Sequence, residues 1–152
     1  MKGVEIVKEF VKALESRDVD KAAGYLSADF EMRGLTPLPI SRESYLQIQR
    51  GIQSAFKNWR LNLSDIHERG GMVEATAHIT GTHTGDLVLP VPDLPAVPAT
   101  GKTISLPGEI RQYKVRGTKI ASLRVIVTPG GGFQGLYGQL GAKLPLPAAI
   151  KG

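Results

Sequence analysis

The 152-residue chain contains no cysteine. That excludes a disulfide scaffold, a thiol nucleophile, a zinc finger and an iron–sulfur site. No apolar run approaches the roughly 20 residues a membrane span needs, so no membrane partner is expected. Residues 1–5 carry no apolar signal stretch, and Glu5 and Glu9 argue against a transit peptide. The expectation is a cytoplasmic protein. Aromatics are sparse, with four Phe, four Tyr and one Trp, and no two Lys or Arg residues are adjacent. Nucleic-acid modules interleave stacking aromatics with a basic stripe. The net charge of +5 is therefore read as a solubility feature, with no nucleic-acid partner. A charge-driven adaptor would instead bind with strong salt dependence.

What is present is an ordinary globular mixture, 41% hydrophobic and 22% charged. The length fits one domain over residues 1–152 with a core that needs no staples. Val4, Val7, Val11 and Leu14 repeat at helical spacing, widened by Phe10, with Lys8, Glu9, Lys12 and Glu15 between them. That spacing predicts an amphipathic helix. Asp18 caps a second short helix carrying Ala22, Ala23 and Leu26, which residues 27–29 end. Residues 30–32 then read as a short strand, and 34–40, with Pro37 and Pro39, as a loop. Ser41 caps a third helix marked by Tyr45, Ile48, Ile52 and Phe56.

The remainder reads as strands. Residues 59–69 look extended, and the parity change between Leu61, Leu63 and Ile66 predicts a bulge near Ser64-Asp65. Gly70-Gly71 is a hairpin turn. Residues 72–84 and 103–115 read as two long strands, and 119–128 as a last one after the turn at 116–118. Between the first two lies a Pro-rich stretch with Pro90, Pro92, Pro95 and Pro98. Phe133 to Leu140 forms a helical turn, and a Pro-rich tail follows. Helices first and hairpin-linked strands after is the α+β pattern, with a helix layer on one face of a curved antiparallel sheet.

Several motifs fail their structural context. Gly130-x-Gly132-x-x-Gly135 spells the dinucleotide fingerprint, but no second strand and no acidic residue follow it. Gly101-Lys102-Thr103 ends like a P-loop, but the loop's first glycine is Ala96 and a strand follows. Of the three histidines, His67, His78 and His83, the last two fall on opposite strand faces, so no metal is expected. No Gly-x-Ser-x-Gly elbow exists. Glu109 is the remaining chemical candidate. In strict alternation it shares a face with Arg111 and Tyr113, while Leu106, Ile110 and Gln112 share the other. Two readings stand. The polar face is a solvated surface, or it lines a cavity where a buried carboxyl could move a proton. His83 likewise reads as a structural histidine or as a pocket-rim residue.

The segments Ala55-Phe56-Lys57-Asn58-Trp59, Gly81-Thr82-His83-Thr84-Gly85, Thr100-Gly101-Lys102, Gly108-Glu109-Ile110, Lys119-Ile120 and Gln139-Leu140-Gly141, in this order, resemble the SnoaL-like polyketide cyclase family. Its superfamily is nuclear-transport-factor-2-like (cystatin-like). The resemblance implies a cone-shaped curved antiparallel sheet wrapped around the N-terminal helices, a conical pocket for a small hydrophobic ligand, and a homodimer. It implies Glu109 as general acid/base, with Arg111 or His83 supplying positive charge or a hydrogen bond. It places Tyr113, Trp59, Arg33, Leu123 and Val125 along the pocket. No metal or organic cofactor is implied. Residues 119–124 also resemble the last strand of ketosteroid isomerases. There the base position falls near Arg33-Gly34 and the oxyanion tyrosine near Phe10-Val11, so that mechanism is not carried over. Residues 122–128 lack the acid that many family members carry. The family's chemistry implies enolate-mediated cyclisation or isomerisation of a small apolar carbonyl compound. The alternative is a non-catalytic binding module of the same fold. The Pro-rich segment 87–99 reads as a lid, a dimer contact or a surface loop.

Overall fold

The computed structural model of the protein describes residues 2–144. Helix α1 (Gly3–Glu15) buries Ile6, Val7, Phe10 and Leu14 on one face. The Asp18 side chain caps α2 (Val19–Ala23) by accepting from the Lys21 N–H at 3.0 Å. Ser41 caps α3 (Arg42–Ala55) by accepting from the Ser44 N–H at 3.3 Å. Each cap satisfies an amide that the first helical turn leaves without a partner.

A six-stranded sheet follows, ordered β2-β1-β8-β7-β4-β3. Its strands are β1 (Leu26–Arg33), β2 (Ile40–Ser41), β3 (Ser64–Arg69), β4 (Met72–Ala77), β7 (Glu109–Arg116) and β8 (Lys119–Ile126). A two-stranded arm pairs β5 (Thr80–Thr82) with β6 (Thr103–Ser105). Helix α4 (Gly132–Gln139) closes the described chain. Helix α1 packs on β3, β4, β7 and β8, and α3 packs on β1. The helices thus fill the concave side of a curved, open sheet, the α+β architecture expected. The rings of Phe10 and Phe30 meet Tyr45 of α3 with centroids 6.4 and 5.1 Å away. Such pairs add about 0.5–1.5 kcal/mol beyond their burial.

Four local readings change. The second helix stops at Ala23, and strand structure begins at Leu26 because Leu26 pairs with Ile120 of β8. Ile40 leaves the expected loop to pair with Met32. One neighbouring pair, β1 with β8, is parallel. The two long strands each break in two, after Ala77 and before Glu109. Pro107 has no N–H to give a ladder, so pairing lapses there and resumes as the β5–β6 arm. The expected bulge is present: Asp65 takes a φ of 52° and the register shifts between Ser64 and His67. The Pro-rich tail lies, from residue 145 on, outside the described residues. Among the described residues no helix is long and apolar enough to cross a membrane.

The Pro-rich segment is anchored. Leu87 and Val97 exchange backbone hydrogen bonds of 2.9 and 3.0 Å, and the Asp86 carboxylate accepts from the Ala99 N–H at 3.1 Å. Leu87, Leu89 and Val97 are buried. The segment meets α3 at Gly51, where a Cβ would stand 2.7 Å from Leu89 Cδ2 and 2.8 Å from the Val88 carbonyl.

Candidate functional site

Alternation along β7 turns Glu109, Arg111 and Tyr113 toward the helices, where they are 2%, 7% and 0% exposed. Ile110 and Gln112 occupy the other face and are half-buried. The solvated-surface reading of this strand is therefore not what the fold adopts. Opposite Arg111 and Glu109 on β4 stand Ala75 and Ala77. Two methyl side chains there leave the volume that the longer pair fills. Arg111 Nε donates to Glu109 Oε2 at 3.1 Å. Both groups have lost water, so the pair holds only if each keeps its partner.

Glu109 and Arg111 line a cavity of about 50 Å³ whose other walls include Tyr45, Ile48, Trp59 and Leu106. Tyr45 comes from α3 and was legible in the sequence only as a core position. Its hydroxyl is buried and has no hydrogen-bond partner among the described residues, and the same holds for Tyr113. Burial pushes the Tyr45 hydroxyl well above the ordinary phenol range, although the Arg111 charge pulls the other way. Burial raises Tyr113 as well, again against Arg111. Burial alone would lower Arg111, but the Glu109 carboxylate beside it outweighs that, and it stays protonated. At neutral pH Tyr45 and Tyr113 thus keep their phenol protons, beside the Arg111 guanidinium. Guanidinium groups only donate; among the described residues Glu109 is the one carboxylate lining the cavity, and Gln49 brings an amide to it.

The other expected site residues divide. Trp59 lines the cavity. Tyr113, Leu123 and Val125 point inward and are buried, but they pack beside the cavity in the core. Arg33 does not reach it. On β1 it has the parity opposite to buried Met32, is exposed, and pairs with Glu31 at 3.0 Å. His83 is also outside the lining. It is fully buried, its ring stacks on Phe56 at 5.2 Å, and Phe56 meets Trp59 at 5.0 Å. His83 Nδ1 accepts from the Thr100 N–H at 3.2 Å, which assigns the neutral ring's proton to Nε2. That nitrogen is buried without a partner, and burial holds the His83 pKa below its usual value. The structural reading of His83 fits this placement.

Among the described residues no three His, Asp or Glu side chains gather as a metal site would require. The glycine fingerprint is a turn. Gly130 and Gly132 take φ of 86° and 66°, and a Cβ on Gly135 would collide with the Gly130 carbonyl.

No curated protein matches the chain. Its fold is shared with many solved structures. IdmH of Streptomyces antibioticus, provisionally described as a polyketide cyclase, is 19% identical, with 93% of this chain and 100% of that one covered and a TM-score of 0.68. AclR of Streptomyces galilaeus, provisionally described as a hydroxylase, is 18% identical over 90% of this chain and 79% of that one, with a TM-score of 0.72. A protein of ketosteroid-isomerase-like fold from Catenulispora acidiphila is 15% identical over 91% and 93%, with a TM-score of 0.66. At these identities the likeness establishes the fold, and the differing descriptions already separate fold from activity. The sequence itself carries the assignment: residues 4–127 match the family model described as SnoaL-like polyketide cyclase, and the chain belongs to that family.

Proposed function

We propose that the protein is a cyclase- or isomerase-type enzyme acting on a small, largely apolar carbonyl compound. Glu109 is the general base. It accepts a proton from the carbon next to the carbonyl, the C–H electron pair becomes the enolate, and the negative charge settles on oxygen. Arg111 stabilises that charge. The enolate carbon then attacks a second carbonyl, closing a ring as that carbonyl's π pair becomes an alkoxide that takes the proton from Glu109; in an isomerisation, a remote carbon of a conjugated enolate takes that proton instead. Charge stabilisation in a water-poor site supplies most of the rate gain in such reactions. The observation that carries this reading is the buried Glu109–Arg111 pair in the lining of a mostly apolar cavity. Association into a homodimer belongs to the same proposal.

One observation favours a second reading, a binding module without turnover. Arg111 already occupies one Glu109 oxygen, and no second cavity acid stands ready to complete a relay. Exchange of α-hydrogens in heavy water separates the two. With 2-acetylnaphthalene as probe, an enzyme speeds methyl exchange over buffer, and Glu109→Gln lowers that rate by about a hundredfold or more. Binding of the ketone with no exchange in the wild type assigns the fold to ligand binding alone.

A further inference from the structure

The Pro-rich segment leaves the β5–β6 arm just after His83 and rejoins it at Thr100. There the ladder continues by two backbone bonds, His83 N–H to the Lys102 carbonyl and Gly101 N–H to the His83 carbonyl, each 2.8 Å. The outgoing chain is drawn onto the end of α3. The Thr84 and Gly85 N–H groups both donate to the Ala55 carbonyl at 2.9 Å, and a Cβ on Gly85 would collide with the Ser54 carbonyl. One side chain joins the two ends of the segment. His83 Nδ1 accepts from the Thr100 N–H at 3.2 Å and lies 2.9 Å from the Thr100 hydroxyl, which itself accepts from the Lys102 N–H. Beyond this base Leu87 pairs with Val97, and Pro90 to Leu94 wall a cavity of about 420 Å³ against residues 35–41.

An amide proton on Nδ1 requires that nitrogen to be unprotonated. An imidazolium can turn its new proton to the Thr100 hydroxyl, but it cannot accept from the Thr100 amide. Nor does it find a counter-charge in contact. His83 is fully buried, and Nε2 has no partner among the described residues. Asp86 is the one charge that acts on the ring, and its carboxylate is held by the Ala99 N–H. Lys102 turns its ammonium to Gly141. On the α3 side Lys57 is exposed, and Arg17 is taken up by the carbonyls of Gln53, Phe56 and Lys57. Protonation would therefore leave a buried charge without a contact partner and a buried amide without its acceptor, and both are costly. Burial accordingly holds the His83 pKa below its usual value.

The same ring reaches toward the cavity at Glu109. It stacks on Phe56, Phe56 meets Trp59, and Trp59 lines that cavity. Gly81 gives this row its room: a Cβ there would stand 3.2 Å from the Phe56 ring and 3.4 Å from the Trp59 ring.

We infer that His83 is a proton-operated latch. Neutral, it fastens the two ends of the Pro-rich segment to each other beside the end of α3. Protonated, it releases the Thr100 end, loosens the wall at Pro90 to Leu94 and shifts Phe56 and Trp59. Its operation needs neither a ligand nor turnover at Glu109.

Nuclear magnetic resonance on the full chain from pH 7.5 to 4.5 tests the latch, with exchange rates corrected for their intrinsic pH dependence. At pH 7.5 the His83 ring nitrogens should report the Nε2–H form. The ring should titrate below the ordinary value of about 6.5. Through that titration the Thr100 amide should lose protection from hydrogen exchange by about tenfold or more, the size of one lost buried hydrogen bond. The Leu87 and Val97 amides should follow with the same midpoint, and so should a red shift of Trp59 emission. The Val7 and Phe10 amides of α1 should stay protected, which separates local release from acid unfolding. His83→Asn puts a non-titrating oxygen near the Nδ1 position, so its Thr100 protection should be flat across the series. Asp86→Asn keeps an acceptor for the Ala99 N–H but removes the charge, and should move the midpoint to lower pH. A ring that does not titrate before the chain unfolds, Thr100 protection unchanged through the titration, a silent Trp59, or a response that persists in His83→Asn overturns the latch. Loss of α1 protection at the same midpoint also overturns it, by assigning the response to global unfolding.

Discussion

Glu109 and Arg111 can be buried together because each neutralises the other and because Ala75 and Ala77 leave them room. The chemistry of the site follows from that arrangement more than from either residue alone. His83 is the contrasting case, a titratable group buried with no opposite charge in contact. Its folded pKa lies below the usual value because burial penalises the imidazolium, with Asp86 only partly compensating. As pH falls, the unfolded chain takes up this proton first, near pH 6.5. The His83 contribution to stability is thus fully present above about pH 6.5 and is lost as pH falls toward the lower folded value. Melting temperatures from pH 7.5 to 5 should decline through that window in the wild type. In His83→Gln the decline should flatten, from a lower starting point. An unchanged slope in the variant would mean that another group controls it.

Two helices, α2 and α3, are capped at their starts by side chains, and α3 also carries a steric fit at its middle. Gly51→Ala would ordinarily stabilise a helix interior by up to about 1 kcal/mol. Here the added methyl meets the Val88 carbonyl at 2.8 Å, and a backbone carbonyl cannot swing aside like a side-chain tip. Overpacking of this kind costs about 1–3 kcal/mol. The net expectation is a lower melting temperature in thermal denaturation, and a rise would show that the Pro-rich segment shifts freely off α3. The helix caps at Asp18 and Ser41 and the bulge at Asp65 were legible in the sequence because each is a local device. The break of the long strands at Ala77 and Glu109 was not. Pro107 and Gly108 were visible, but where the ladder resumes depends on β5 and β6 meeting across the intervening Pro-rich stretch.

Across the whole molecule, the parallel β1–β8 pair ties the helical first third to the last hairpin through Leu26 and Ile120. Neither part completes its core without the other, since α1 packs on β4, β7 and β8 while α3 packs on β1. Unfolding should therefore be a single cooperative transition. The chain's one tryptophan, Trp59, lines the cavity at Glu109 and Arg111. Its fluorescence and the far-ultraviolet dichroism should give coincident denaturant curves. Separated midpoints would show that the helices and sheet form independent units.

By itself the sequence determined the helical stripes, the caps, the hairpin turns and the α+β class, because these rest on periodicity and on residues within a few positions of one another. It also singled out Glu109, since alternation in a strand needs only neighbours two apart. Only the tertiary structure decided which face of β7 turns inward, because burial depends on what packs against the strand. It moved Arg33 outside the site by its parity on β1 and moved His83 behind Phe56. It brought Tyr45 from α3 to Arg111 on β7, an approach across 66 residues of chain that no local pattern encodes.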